Sequence, residues 1–176
     1  MVHWPEVMVS FEQQEKVLFS ADGFGTFGAV GNRLTIGSME EANEWTSEAR
    51  RYFINIVGKY GPSVQALLKK EATLDINMIA PLHGPVLTDN LAFFVDKYAK
   101  WSSYTPEESG VVVAYASIHG NTAAAAKFFA EKLKEVAEEK GASIPVEVFD
   151  LARCDEAEAV AKSFAYDRIV LFGVTY

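Results

Sequence analysis

Cysteine is nearly missing from this chain of 176 residues. Cys154 stands alone, so no intrachain disulfide can form, and a single thiol suits a reducing cytoplasm. Positive charge is short as well: 16 Lys and Arg face 24 Asp and Glu, for a net charge of −8. That balance argues against nucleic acid, whose binding relies on Lys and Arg neutralising phosphates. The excess acid reads as a solubility device. Long apolar runs are missing too. Ile169–Val174 is among the longest and falls far below the roughly 20 residues that a membrane helix needs. No basic segment leads into an apolar one at Met1, so no signal peptide is visible. Histidine occurs three times, as His3, His83 and His119. What is present is 49% hydrophobic with a mean hydropathy near zero, the composition of a globular chain of one domain or parts of two.

Val7–Phe11 and Lys16–Ser20 are β-prone runs around Gln13-Gln14 and predict a hairpin. Ala21-Asp22-Gly23-Phe24-Gly25 must be a loop, because two glycines in three residues break either element. Ser38 and Glu41 form a capping box, and the helix it opens should run to about Lys59. Trp45, Ala49, Phe53, Ile56 and Tyr60 give that helix one apolar face. Gly61-Pro62 stops it and starts another helix over about Ser63–Ala72. Ile76–Ile79 reads as a strand, Ala80–Pro85 as a loop, and Thr88 as the cap of a helix to about Trp101. The polar stretch around 105–109 reads as a linker between a first part, 1–104, and a second, 110–176.

The second part reads β-α-β-α-β. Val111–Ala116 is a continuous apolar run, as in a strand buried on both faces. Asn121–Lys140 is a helix with Ala126, Phe129, Leu133 and Val136 on its inner face. Val146–Phe149 is a strand, Asp155–Ala165 a helix and Arg168–Phe172 a strand. This order implies a parallel sheet with right-handed crossovers.

Between the first strand and helix of that part lies Ser117-Ile118-His119-Gly120-Asn121-Thr122. A strand end followed by a helix start presents free N–H groups and the positive end of the helix dipole, which together hold an anion. Ser117, Asn121 and Thr122 add side-chain donors, and Gly120 lets the backbone approach closely. No Lys follows the glycine, so this is no nucleoside-triphosphate loop, and no G-x-G-x-x-G marks a dinucleotide. A monophosphate suits it. Spacing alone suits an ordinary strand–helix turn as well.

In the first part, His3, Asp22 and His83 sit in loops, where a rigid scaffold presents ligands. Two imidazoles and a carboxylate make a metal set assembled by folding. A lone loop histidine also serves as a plain hydrogen-bonding residue.

The phosphate loop resembles the FMN loop of flavodoxin-like domains. His-Trp-Pro at 3–5, Leu-Phe-Ser-Ala-Asp-Gly-Phe-Gly at 18–25, Glu48-Ala49-Arg50-Arg51-Tyr52, Ile56–Gly61 and Pro81-Leu82-His83-Gly84 extend the likeness to the whole chain. It resembles the flavodiiron proteins, in which a metallo-β-lactamase-like domain with two non-haem irons is fused to a flavodoxin-like domain.

The resemblance implies an α/β fold. It would comprise the C-terminal part of a metallo-β-lactamase-like αββα domain (1–104), then the first half of a flavodoxin-like doubly wound parallel sheet (110–176). It implies that His3 ligates one iron, Asp22 bridges the two and His83 ligates the other. FMN would be held by Ser117, Ile118, His119, Gly120, Asn121 and Thr122, with the His119 side chain facing solvent. Val174, Thr175 and Tyr176 stand where the flavin-ring loop begins. Trp4 and Phe24 either wall the metal pocket or pack in the core.

The implied activity is electron transfer through FMN to the diiron site, reducing O2 to water or NO to N2O. The electron donor would be a rubredoxin or a reductase, and the protein a cytoplasmic head-to-tail homodimer. The family's H-x-E-x-D-H cluster has no counterpart here. A five-stranded doubly wound domain takes roughly 140 residues, since each βαβ unit needs about 30 or more. The expectation is therefore an inactive fragment truncated at both ends. Two rival readings are a zinc hydrolase of the metallo-β-lactamase class and an FMN carrier with a non-catalytic first module.

Overall fold

The computed structural model describes residues 2–3 and 6–174. Trp4, Thr175 and Tyr176 therefore lie outside the described residues. The chain forms two compact units, Met1–Thr105 and Pro106–Tyr176.

The first unit opens with the expected hairpin. Strand β1 (Ser10–Glu12) pairs antiparallel with β2 (Val17–Ala21), and the Glu12 carboxylate accepts the Gln14 and Glu15 N–H groups in the turn. Strand β3 (Thr35–Ile36) precedes helix α1 (Met39–Tyr52). The capping box closes as predicted, with Glu41 N–H donating to Ser38 Oγ and Ser38 N–H to the Glu41 carboxylate, both at 3.2 Å. The Gly37 N–H, which donates to the same carboxylate at 3.1 Å, and then the Ser38 N–H hold the Glu41 pKa below its usual value.

The helix does not run evenly to Lys59. At Phe53–Val57 it widens into a π turn, then tightens to a 3-10 stretch at Gly58–Tyr60 before α2 (Gly61–Glu71). The wider turn shifts the apolar stripe by one residue. Val57 enters the core in place of Ile56, which stays half-buried.

Strand β4 is Met78–Pro81, two residues later than the pattern suggests, and β5 is Val86–Leu87. Helix α3 (Leu91–Ser102) starts at Asn90 in a left-handed conformation, not at Thr88. The Thr88 hydroxyl donates instead to the Ile36 carbonyl, tying the end of β5 to β3.

The sheet order is β1-β2-β4-β5-β3, with β2 and β4 parallel. Leu18, Ser20 and Ile79 point into the core, while Phe19 lies exposed on the other side of β2. The core is aromatic. Phe24 stacks on Tyr98 at 4.2 Å, Trp45 meets Phe94 edge-on at 4.8 Å, and Phe53 touches both Tyr98 and Trp101. Phe24 thus serves the core.

In the second unit β6 (Glu108–Tyr115) begins inside the stretch read as linker. It is flanked by β7 (Val146–Asp150) and β8 (Tyr166–Phe172), all parallel, in the order β7-β6-β8. Helix α4 (Asn121–Glu139) covers the face bearing Val111, Val113 and Tyr115, and α5 (Glu156–Ala165) the face bearing Val112 and Ala114. Gly110 leaves room for the Tyr166 ring, since a Cβ there would come within 2.5 Å of it.

The inner face of α4 agrees with expectation at Ala126 and Leu133 and differs at Phe129 and Val136. Ala126, Ala130 and Ala137 are buried, whereas Phe129 is 37% and Val136 43% exposed. Alanine lets the helix lie close to the sheet, and the larger side chains are displaced to its flanks. On β8, Ile169 and Leu171 are exposed.

Replacing Ser38 by Ala should cost about 1 kcal/mol through loss of the cap. Trp101→Ala, at the centre of the aromatic core, should cost about 3–5 kcal/mol. Urea denaturation of both variants gives the two values.

Candidate functional site

The parallel pairing of β2 and β4 brings Asp22 and His83 together. Ala21 is in register with Pro81, so the two loops leave the sheet side by side. Leu82 N–H donates to the Ala21 carbonyl at 2.9 Å, and Thr26 N–H to the His83 carbonyl at 3.3 Å. The result is a His83 Nε2–Asp22 Oδ1 separation of 3.4 Å.

The loop carrying Asp22 is wound tightly. Ala21 and Phe24, on either side of it, have φ of 52° and 62°, in the left-handed region that side chains disfavour. Buried Ser20 anchors the loop: its hydroxyl donates to the Gly23 carbonyl, and its own carbonyl accepts the Gly23 N–H. Gly84 is required on the opposite loop. Its φ is 89°, and an added Cβ would lie 2.2 Å from the Thr26 methyl.

His3 joins Asp22 and His83 in lining one cavity of about 220 Å³, with Thr26, Phe27, Tyr52 and Ile56 completing the wall. The π turn matters here, since it leaves Ile56 facing this cavity. The Asp22 side chain is 14% exposed and that of His83 56%. His3 holds a strained backbone, φ 81°, with its ring edge-on to Tyr60 at 6.4 Å. Among the described residues no three His, Cys, Asp or Glu side chains close on a single point. The contact actually formed is the Asp22–His83 pair, with His3 on the wall beside it.

Tyr52 is the participant that sequence reasoning missed. The sequence shows it only as the last residue of the Glu48–Tyr52 motif, with no role of its own. Its hydroxyl is hydrogen-bonded to the Asp22 carboxylate, and burial, with the charge of Asp22 second, pushes its pKa up to about 12. Its ring centroid lies 5.8 Å from that of His83. Gly25 makes room for it, because a Cβ there would approach the Tyr52 ring to 2.9 Å. The sequence signal was the glycine two residues after the loop's own Gly23. A carboxylate fixed by a phenol beside an imidazole is a donor set for non-haem iron or zinc.

The second unit brings a strand end to a helix start at the loop expected to hold a phosphate. The carboxyl ends of β6 and β8 lie side by side, joined by Ala116 N–H to the Phe172 carbonyl at 3.1 Å, where the strand order reverses. Such a switch point is where ligands bind in doubly wound sheets. Gly120 precedes α4 with φ 89° and open space around the position of a Cβ.

Ser117 has a second task. Its Oγ accepts the Gly120 N–H at 3.1 Å and so holds the loop shape while its own proton stays available. The first turn of α4 contains no acidic residue, and its amides have no intrahelical acceptor. Ile118, His119, Gly120 and Asn121 are exposed, and Thr122 is half-buried. Gly173 and Val174 follow β8 and are exposed; the remaining two positions of that loop, Thr175 and Tyr176, are outside the described residues. Uncharged donors at a helix start suit a phosphate group.

Gly84→Ala should destabilise the first unit by about 1–3 kcal/mol, from strain at positive φ and the clash with Thr26. The same change at Gly28, where φ is 87° but nothing lies within 4 Å, should cost less. Thermal denaturation of the two variants compares them.

No family model matches the chain. It is 28% identical over 166 residues to an anaerobic nitric oxide reductase flavorubredoxin of Aeromonas salmonicida, covering 93% of this chain and 30% of that protein. An uncharacterized protein of Methanocaldococcus jannaschii is 32% identical over 135 residues, covering 77% of this chain and 33% of that protein. The chain thus spans about a third of the length of these curated relatives.

Among solved structures, rubredoxin oxygen:oxidoreductase from Desulfovibrio gigas matches with a TM-score of 0.80 at 25% identity, over 97% of this chain and 41% of that one. The flavodiiron protein of Giardia intestinalis shares the fold, with a TM-score of 0.79 at 22% identity over 96% of this chain and 40% of that one. Over both of its parts the chain is thus similar to flavodiiron proteins, in sequence to the flavorubredoxin and in fold to the solved structures.

Proposed function

We propose that this chain supplies the junction of a flavodiiron oxidoreductase, with metal ligands from its first unit and an FMN cradle from its second. The observation that carries the proposal is the convergence of His3, Asp22 and His83 on one cavity, from positions far apart in sequence. In this reading Asp22 serves both irons, while His3 and His83 each serve one. Bound irons would supply the electrons and open coordination positions at which O2 is reduced to water or NO to N2O.

The chain's own residues orient and shield. Tyr52 holds the Asp22 carboxylate through its hydroxyl, and Phe27 and Ile56 give the cavity apolar walls. Ser117, Ile118, His119, Gly120, Asn121 and Thr122 would hold the FMN phosphate through backbone and hydroxyl donors, and Val174, Thr175 and Tyr176 would border the ring.

Electrons would reach the flavin from a rubredoxin or a reductase. A head-to-tail homodimer would bring one subunit's flavin to the other's irons. Three donors are few for two ions, and the chain covers about a third of its relatives. The activity is accordingly assigned to the longer protein, and residues 1–176 alone are expected to be inactive.

Iron and flavin, measured anaerobically on that longer protein, should both be present in stoichiometric amount. Zinc without flavin would sink the proposal and favour a hydrolase. Within the flavin-bearing enzyme, His83→Ala should deplete iron and gas reduction while leaving FMN content unchanged. Gly120→Asp, which places a negative charge where the phosphate would sit, should deplete FMN and with it gas reduction while leaving iron content unchanged. Gas reduction that survives His83→Ala would leave only an FMN carrier.

A further inference from the structure

We propose that Glu71 is a pH-sensitive latch on the connection between α2 and β4, closed while its carboxyl holds a proton. Glu71 is the last residue of α2 and only 6% exposed. Both carboxyl oxygens are buried and neither has a hydrogen-bond partner. A carboxylate without donors in an apolar core is costly, and a neutral acid much less so. The negative end of the α2 dipole disfavours ionisation further.

No neighbouring cation relieves it. On its own helix Lys69 and Lys70 are exposed. From α3 the buried Tyr98 faces it; on that helix Lys100 pairs with Asp96 at 2.9 Å, and Lys97 lies over the Phe93 ring. Lys16, in the β1–β2 turn, pairs with Asp75, and Lys59 covers the Tyr60 ring. Burial pushes the Glu71 pKa up from 4.5 to about 7.

The latch leads into β4, the strand that carries His83 at its end. Ala72 and Thr73 N–H donate to the Leu68 and Lys70 carbonyls, and Leu74 N–H to Glu71's own. Asn77 N–H then donates to the Lys16 carbonyl, where the pairing of β2 with β4 begins. That pairing presents Asp22 and His83.

The sign follows from the raised pKa. Below about 4.5 the closed and open forms are both protonated, and the latch costs nothing. Between 4.5 and about 7 the open form ionises first, so closure weakens as pH rises; above about 7 the loss is complete. The difference of about 2.5 pKa units corresponds to about 300-fold in the opening equilibrium.

Amide hydrogen exchange of residues 72–78, corrected for the intrinsic effect of pH, tests this on the chain as it stands. Protection should fall roughly seventy-fold between pH 5 and pH 8, and amides of β6 and α4 should not follow. Glu71→Gln should abolish the fall. Glu71→Met, similar in length and unable to ionise, serves if the amide variant does not fold. Flat protection in the unmodified chain, or an unchanged slope in either variant, overturns the proposal. The outcome does not depend on metal or flavin, so it stands or falls apart from the proposed activity.

Discussion

The parallel pairing of β2 with β4 is the constraint on which the first unit's chemistry depends. Parallel neighbours end on the same side of a sheet, so the loops that follow them must emerge together. Here Ala21 and Pro81 are partners, and two further backbone hydrogen bonds carry the contact past the strand ends. Asp22 and His83, 61 residues apart in the chain, become neighbours through backbone register (83 − 22 = 61). Their side chains meet without having to create the contact themselves. The glycines make it possible: Gly84 admits Thr26, and Gly25 admits the Tyr52 ring that holds Asp22.

The second unit uses the same geometry for a different chemistry. Strands β6 and β8 also run parallel and end together, but what they present is backbone. A helix start following Gly120 offers amides and a positive dipole end, which suit a diffuse anion. The first unit instead offers a carboxylate and imidazoles, which suit a cation that needs defined donors. One rule of parallel sheets thus yields two sites of opposite electrostatic sense.

The cradle was legible in the sequence because all its parts are consecutive. A buried strand, a glycine and a helix start within thirteen residues leave few alternatives. The hairpin and the Ser38–Glu41 box were legible for the same reason. His3, Asp22 and His83 stood out in the sequence as loop residues of ligand type, but nothing local separates them from plain hydrogen-bonding residues, and their roles came only through resemblance. Tyr52 stood in a quoted motif without a role, because its contact with Asp22 depends on a loop thirty residues earlier.

The π turn at Phe53–Val57 was equally out of reach. Helix propensity continues through it, and only the aromatic core around Phe53 and Trp101 decides where the stripe must turn. On α4 the larger side chains misled. Volume suggested Phe129 and Val136 as the inner face, but close helix–sheet packing selected alanine.

The two sites differ in how much of the fold they require. Residues 115–124 build the cradle, so it closes a short loop and needs only β6, α4 and the edge of β8. The cavity proposed to hold metal collects His3, Asp22, Tyr52, Ile56 and His83 from five places across eighty residues. Each of those long connections must be ordered before the donors meet, and the entropy of that ordering is repaid only by the core as a whole. A disturbance anywhere in the aromatic core is therefore transmitted to the cavity, whereas the cradle depends on local geometry. Phe24 makes the link concrete. It is two residues from Asp22, stacked on Tyr98 in the centre of the core. The conformation of the Asp22 loop and the packing of the core are thus one constraint, and stability and metal binding in this unit should change together.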